Sequence, residues 1–127
     1  MRYLLDTHTA IWFCEGSDKL SKAAKEITYD SNSQLYVSMA SLWEFTIKYS
    51  MGKLKFDGGL PKLCELLKQA DFVLLPITQV YLECLNDLQY IHRDPFDRLL
   101  VATAKVDEMT ILTADENIYR YDVLTIW

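Results

Sequence analysis

An α/β sandwich around a mostly parallel sheet is the fold class this sequence predicts, and three observations carry that expectation. Short apolar runs suited to buried strands recur at 3–5, 35–37, 72–75, 110–112 and 123–126. Stretches with helical spacing or helix-start signals lie between most of them. Strands that alternate with helices are joined by crossovers, and crossovers lay strands side by side in parallel. With 127 residues, 50% of them apolar, the chain is expected to form a single domain whose core needs no disulfide or structural metal.

Taken in order, Tyr3-Leu4-Leu5 reads as the first strand, and the following Asp6 can cap a short helix over 9–14. Ser21 can cap a second helix running through Ile27. After the strand at 35–37, residues 39–50 carry Leu42, Trp43, Phe45, Ile47 and Tyr49, mixed in pattern but helical in length and propensity. Asp57-Gly58-Gly59, ahead of Pro61, is the one flexible-looking stretch. Beyond it Leu60, Leu63, Cys64 and Leu67 repeat at three and four residues. Phe96, Leu99, Leu100 and Thr103 do the same after an explicit start: Asp94 is a natural N-cap, Pro95 fits the first helical position, and Asp97 faces the free N–H groups, so a helix is expected over 95–106. Asp115 can cap a last turn at 116–119.

Composition excludes several function classes. No apolar run approaches the roughly 18 residues of a membrane span, so no membrane association is expected. The start Met1–Asp6 meets a carboxylate after three apolar positions, unlike the core of a secretory signal, which makes a cytoplasmic location the expectation. Cys14, Cys64 and Cys84 form no Cys-x-x-Cys pair and read as buried thiols. A net charge of −5 argues against binding nucleic acid through bulk charge, although a site built from carboxylates would itself make a small protein acidic.

Placement of the acids is therefore informative. In parallel α/β sheets the functional crevice lies outside the carboxyl ends of the strands. Asp6 follows the first strand and Asp115 follows the strand at 110–112. Glu44 lies one turn into the helix after strand 35–37, and Asp97 lies in the first turn of the helix leading to 110–112. Each has an ordinary structural reading: Asp6 and Asp115 as caps, Glu44 as an i,i+4 partner of Lys48, Asp97 as a favourable helix-dipole charge. All four can meet at one rim, however, and carboxylates sharing a dry crevice require a neutralising cation. Oxygen donors without thiolates match Mg²⁺ or Mn²⁺, whose chemistry is phosphodiester hydrolysis by an activated water, leaving 3′-hydroxyl and 5′-phosphate ends. One ion or two is left open.

These residues resemble the PIN domain family, and within it the VapC-like ribonuclease toxins of toxin–antitoxin pairs. The resemblance rests on Leu4-Leu5-Asp6-Thr7-His8 with Ile11-Trp12, on 37–48 (Val-Ser-Met-Ala-Ser-Leu-Trp-Glu-Phe-Thr-Ile-Lys) leading to Gly52-Lys53-Leu54, and on Leu75-Pro76-Ile77. It continues through His92-Arg93-Asp94-Pro95-Phe96-Asp97-Arg98-Leu99-Leu100, Leu112-Thr113-Ala114-Asp115 and Trp127, and so covers essentially the whole chain. It implies a three-layer α/β/α sandwich and an acidic quartet of Asp6, Glu44, Asp97 and Asp115. It further implies an RNA substrate, Mg²⁺ or Mn²⁺ as cofactor, a homodimer, and a small cognate antitoxin protein. Asp94 and Asp97 begin the same helix and either could point at the metal; the family pattern favours Asp97, while N-cap geometry gives Asp94 a structural role from which it could also act behind the metal ligands.

Other residues carry two readings. The hydroxyls of Thr7 and Ser38 can orient a carboxylate or a water, or cap the next helix. His8 and His92 fit surface or loop hydrogen bonds, with proton donation as the alternative. Lys48, Lys53 and Lys55, with Arg93 and Arg98, can grip RNA phosphates on an acidic protein, or form a solvated face. Trp12, Trp43 and Trp127 suit core and dimer packing, with base stacking as the alternative. The function these features predict is a metal-dependent endoribonuclease toxin. The alternatives are a phosphatase or receiver-like domain using Asp6 as nucleophile, although His8 stands where such phosphatases usually carry a second Asp, and a non-catalytic interaction module on the same fold.

Overall fold

A computed structural model describes residues 1–127. The chain runs β1 (Arg2–Leu5), α1 (Thr7–Glu15), α2 (Lys22–Tyr29), β2 (Gln34–Ser38), α3 (Met39–Ser50), α4 (Gly59–Gln69) and β3 (Val73–Leu75), then α5 (Gln79–Asp87), α6 (Pro95–Asp107), β4 (Thr110–Leu112), α7 (Glu116–Tyr119) and β5 (Thr125–Ile126). All strand pairs are parallel and the sheet order is β3-β2-β1-β4-β5. The chain winds outward from β1 to β3, then crosses back to set β4 on the other flank of β1. That reversal puts the switch point of the sheet between β1 and β4, where connections depart to opposite faces and open a crevice.

Alternation along the strands builds two cores. Tyr3, Leu5, Leu35, Val37 and Leu112 point to one face and pack with Ala10 and Ile11 of α1, Leu42 and Phe45 of α3, and Leu63 and Leu67 of α4. Leu4 and Ile111 point to the other, against Leu100, Val101 and Ala104 of α6 and Ile118 of α7. With Tyr81 of α5 packed on Leu99 of α6 outside that second face, the layers are α/β/α. β1 is buried on both sides, and burial of Leu4 and Leu5 stabilises by about 1.5–3 kcal/mol each.

Local signals account for most boundaries. Asp6, Ser21, Ser38, Asp94 and Asp115 each accept a backbone N–H at a helix start. Asp57-Gly58-Gly59 is a turn into α4; Gly58 and Gly59 both take positive φ, 88° and 63°, which disfavours any side chain there. α1 is longer than the expected 9–14, because Asp6 caps from one residue before Thr7. α5 has no counterpart in the sequence expectations. Its apolar residues do not share one face: Tyr81 is buried, whereas Val80 and Leu82 are 57% and 48% exposed. β5 is two residues long, shorter than the 123–126 run, because Leu124 faces solvent.

Two packing expectations are corrected. No tryptophan is in the core: Trp43 is exposed against Phe96, and Trp12 and Trp127 are half-buried against each other. The three cysteines are free but half-buried rather than buried. No helix is long and apolar enough to cross a membrane.

Candidate metal centre

The crevice at the switch point holds a pocket of about 230 Å³ lined by Asp6, Thr7, His8, Trp12, Glu44, Asp97, Ala114 and Asp115. Four carboxylates from four separate segments thus face one cavity. β1 delivers Asp6, and β4 delivers Asp115 at the adjoining strand end. α3 presents Glu44 from its second turn, and α6 presents Asp97 from its first.

The structural roles foreseen for Asp6, Asp115 and Glu44 hold at the same time as the convergence. Asp6 Oδ1 caps α1 by accepting the Thr9 N–H at 2.9 Å, and Oδ2 accepts the hydroxyl of Thr113. Asp115 caps α7 through the Asn117 N–H at 2.9 Å. Glu44 accepts the Thr7 hydroxyl at 2.6 Å and the Lys48 ammonium at 2.6 Å. One geometry explains the coincidence: a residue just past a strand end is both the N-cap of the next helix and a wall of the crevice.

Asp97 is the least compensated of the four. No Lys or Arg pairs with it, and His92 Nε2 lies 3.3 Å from its Oδ2. Burial, the charges of Asp94 and Asp115, a carboxyl–carboxyl hydrogen bond to Asp115 and the charge of Glu44 push its pKa up to about 8. Where no cation intervenes, burial and the neighbouring carboxylates therefore favour the protonated form of Asp97. Glu44, in turn, holds the Lys48 ammonium above its ordinary range through their hydrogen bond.

Residues that sequence reasoning missed hold the acids in place. The Thr113 hydroxyl donates to Asp6 and accepts the Asp115 N–H at 3.0 Å, tying the two strand-end acids together. Behind Asp97 runs a buried chain. Arg98 Nη1 and the His92 N–H both donate to the Tyr121 hydroxyl, at 3.2 and 3.3 Å, so that hydroxyl gives its own proton to His92 Nδ1 at 2.7 Å. His92 then carries its proton on Nε2, directed at Asp97. Thr113 lies 107 residues from Asp6 and Tyr121 lies 29 residues from His92, so only the fold brings these groups together.

The remaining site candidates divide. Thr7 lines the pocket and orients Glu44. Ser38 is 2% exposed and spends its hydroxyl on the Ala40 N–H, a helix cap. Asp94 caps α6 through the N–H groups of Phe96 and Asp97 and does not line the pocket. Lys48, Lys53 and Lys55 line an adjoining groove, whereas Arg93 is exposed outside it. Arg98 does not point at the site. It is 6% exposed, donates to the carbonyls of Gln89 and Leu88, and lies over the Tyr90 ring, so no phosphate can reach it.

The donor set suits a divalent cation of one kind. No three acids, histidines or cysteines close tightly enough to cage an ion by themselves. Mg²⁺ and Mn²⁺ do not need such a cage; Mg²⁺ usually binds one or two carboxylates and keeps several waters. The negative charge crowded around the buried Asp97 marks the place where a cation would relieve repulsion.

The sequence matches the PIN domain model over residues 3–124. The chain belongs to the PIN domain family. PIN domains are generally nucleases and typically use a divalent metal. No curated protein sequence is significantly similar to the chain. Among solved structures, a chain of VapBC2 from Rickettsia felis, bound to a DNA fragment from its promoter, superposes with a TM-score of 0.74 at 16% identity, covering 100% of this chain and 99% of that one. VapBC-1 from nontypeable Haemophilus influenzae gives 0.72 at 15% identity, covering 99% and 97%. FitAcB from Neisseria gonorrhoeae gives 0.66 at 20% identity, covering 98% and 96%. At these identities the likeness establishes the PIN fold over its full length.

Proposed function

We propose that this PIN domain is a metal-dependent endoribonuclease and the toxin half of a toxin–antitoxin pair. The observation that carries the reading is the convergence of Asp6, Glu44, Asp97 and Asp115 on one pocket, with Asp97 left without a full counter-charge. Asp97 and Asp115 would hold Mg²⁺ or Mn²⁺ directly, with Asp6 and Glu44 beside them. When bound, the ion supplies Lewis-acid polarisation of a phosphodiester and acidifies a water.

The chain's own residues do the rest. Thr113 and the Thr9 N–H fix the Asp6 carboxylate, and Thr7 and Lys48 fix Glu44, so the oxygens are set before substrate arrives. The His92–Tyr121–Arg98 chain holds Asp97. A pocket of about 230 Å³ lies below the ~300–1,000 Å³ typical of small-molecule sites and is large enough for a phosphate. Both Asp6 oxygens are engaged, which disfavours the nucleophile reading. Support for an antitoxin partner comes from the VapBC and FitAcB neighbours, solved as toxin–antitoxin assemblies. A homodimer and a cytoplasmic location complete the proposal.

Asp97→Asn or Asp6→Asn is expected to lower RNA cleavage in Mg²⁺ by more than the ~10–100-fold that supporting residues of a metal site contribute. Cleavage by the wild type should vanish in EDTA and leave 5′-phosphate ends. Undiminished cleavage in both variants rules the site out.

A further inference from the structure

Beside the acidic pocket runs a groove of about 500 Å³ that shares its His8 and Trp12 wall. Lys19, Lys48, Lys53 and Lys55 line it, against the single acid Glu15. Four of the chain's thirteen cations thus gather in one groove of a protein whose net charge is −5. Lys48 already reaches from the groove to Glu44 in the pocket, so the two cavities are continuous in charge as well as in space.

Trp12 stands at the junction. It is half-buried, its ring braced by Trp127 at 5.8 Å and by His8 at 5.9 Å, with the Lys19 ammonium 5.8 Å from its centroid. That ammonium belongs to an exposed side chain, and an exposed cation–π contact is weaker than a base stacked on an aromatic ring. A base can therefore displace Lys19 from the ring and free it for a phosphate. Trp12 lines both the pocket and the groove, so it offers an aromatic surface to a base next to the reacting phosphate.

Resting on the nuclease reading above, we propose that the groove is a single-strand subsite: a base beside the scissile phosphate stacks on Trp12, while Lys19, Lys53 and Lys55 take the phosphates of the nucleotides that follow on that side. A duplex cannot use it, because paired bases are stacked on their neighbours and offer no free face.

The test separates binding from hydrolysis. A short 5′-fluorescein oligouridylate, alone or annealed to oligoadenylate, is titrated with wild-type protein in EDTA and followed by anisotropy. The single strand is expected to bind and the duplex to bind at least ~10-fold more weakly. Trp12→Leu should weaken single-strand binding by roughly 10-fold or more, with Trp12→Phe restoring most of it. Lys53→Ala and Lys55→Ala should each reduce the slope of log K against log salt by ~0.7. Equal affinity for the duplex, or wild-type affinity in both the Trp12→Leu and the double lysine variant, overturns the subsite, including the case in which the groove serves a protein partner instead. Absence of RNA cleavage by the wild type in Mg²⁺ and Mn²⁺, or cleavage undiminished in both Asp97→Asn and Asp6→Asn, overturns the nuclease reading of this site and leaves these binding results unaffected, so the two failures are distinguishable.

Discussion

The two ends of α6 carry similar chemistry to opposite effect. At its C-terminal end Asp107 accepts the Tyr81 hydroxyl, and the Asp107 carbonyl accepts the Arg2 guanidinium at 2.7 Å. Burial and the bond to Asp107 raise the Tyr81 pKa to about 12, so the phenol stays a donor and the carboxylate has a permanent partner. At the N-terminal end, Asp97 faces Asp94, Asp115 and Glu44 with no Lys or Arg partner and His92 Nε2 at 3.3 Å, and is pushed up to about 8. One cluster is complete in itself and the other awaits a positive charge. Burial alone therefore does not mark a functional acid; the balance of donors and charges around it does.

Removing the hydroxyl that organises the pocket is expected to have the largest effect on that contrast. Thr113→Val keeps the shape but leaves Asp6 Oδ2 and the Asp115 N–H without their shared partner. Cleavage or metal affinity is expected to fall ~10–100-fold with little change in fold, read by RNA cleavage and circular dichroism. Wild-type activity in this variant would break the view that the strand-end acids act as a tied pair.

The pH dependence of stability sharpens the same contrast. The raised pKa of Asp97 means that the metal-free native state binds the carboxyl proton more tightly than the unfolded chain does. Its contribution is fully present below the ordinary carboxyl pKa near 4 and is lost as pH rises through about 8. In EDTA, Tm is expected to fall between pH 6 and 9, by at least the ~4 °C that about 1 kcal/mol produces in a domain of this size. Asp97→Asn should flatten that fall, and Mg²⁺ should offset it in the wild type. A Tm flat across this range in EDTA contradicts the uncompensated charge.

The smallest effect is expected at the opposite end. Tyr81→Phe removes a donor from Asp107 and should cost about 1–2 kcal/mol of stability by urea unfolding, with cleavage unchanged. Loss of activity there would show that the two ends are coupled.

Much of this organisation is legible in the residues, and the limits are physical. Asp94-Pro95-Phe96-Asp97 announces α6 because cap, Pro and apolar spacing all agree, and the caps at Asp6, Ser21 and Asp115 are equally local signals. The four acids could be singled out because strand ends and helix starts are where a parallel sheet exposes side chains. α5 was hidden because its apolar residues face outward as well as inward. Arg98 reads as a phosphate ligand in the sequence, yet the fold buries it against Tyr121, a partner 23 residues away. The adjoining groove shows the same limit: Lys19 and Lys53 are brought together only by the packing of α1 beside α3.

The central claim, that Asp97 and Asp115 with Asp6 and Glu44 hold a divalent cation, is tested most directly by calorimetric titration of the metal-free protein with Mg²⁺ and Mn²⁺ at pH 7. The account predicts saturable binding that releases a proton from Asp97, with the proton release read from the dependence of the heat on buffer ionisation enthalpy. Binding should be lost in Asp97→Asn. No binding at millimolar metal, or binding unchanged in Asp97→Asn and Asp115→Asn alike, contradicts it.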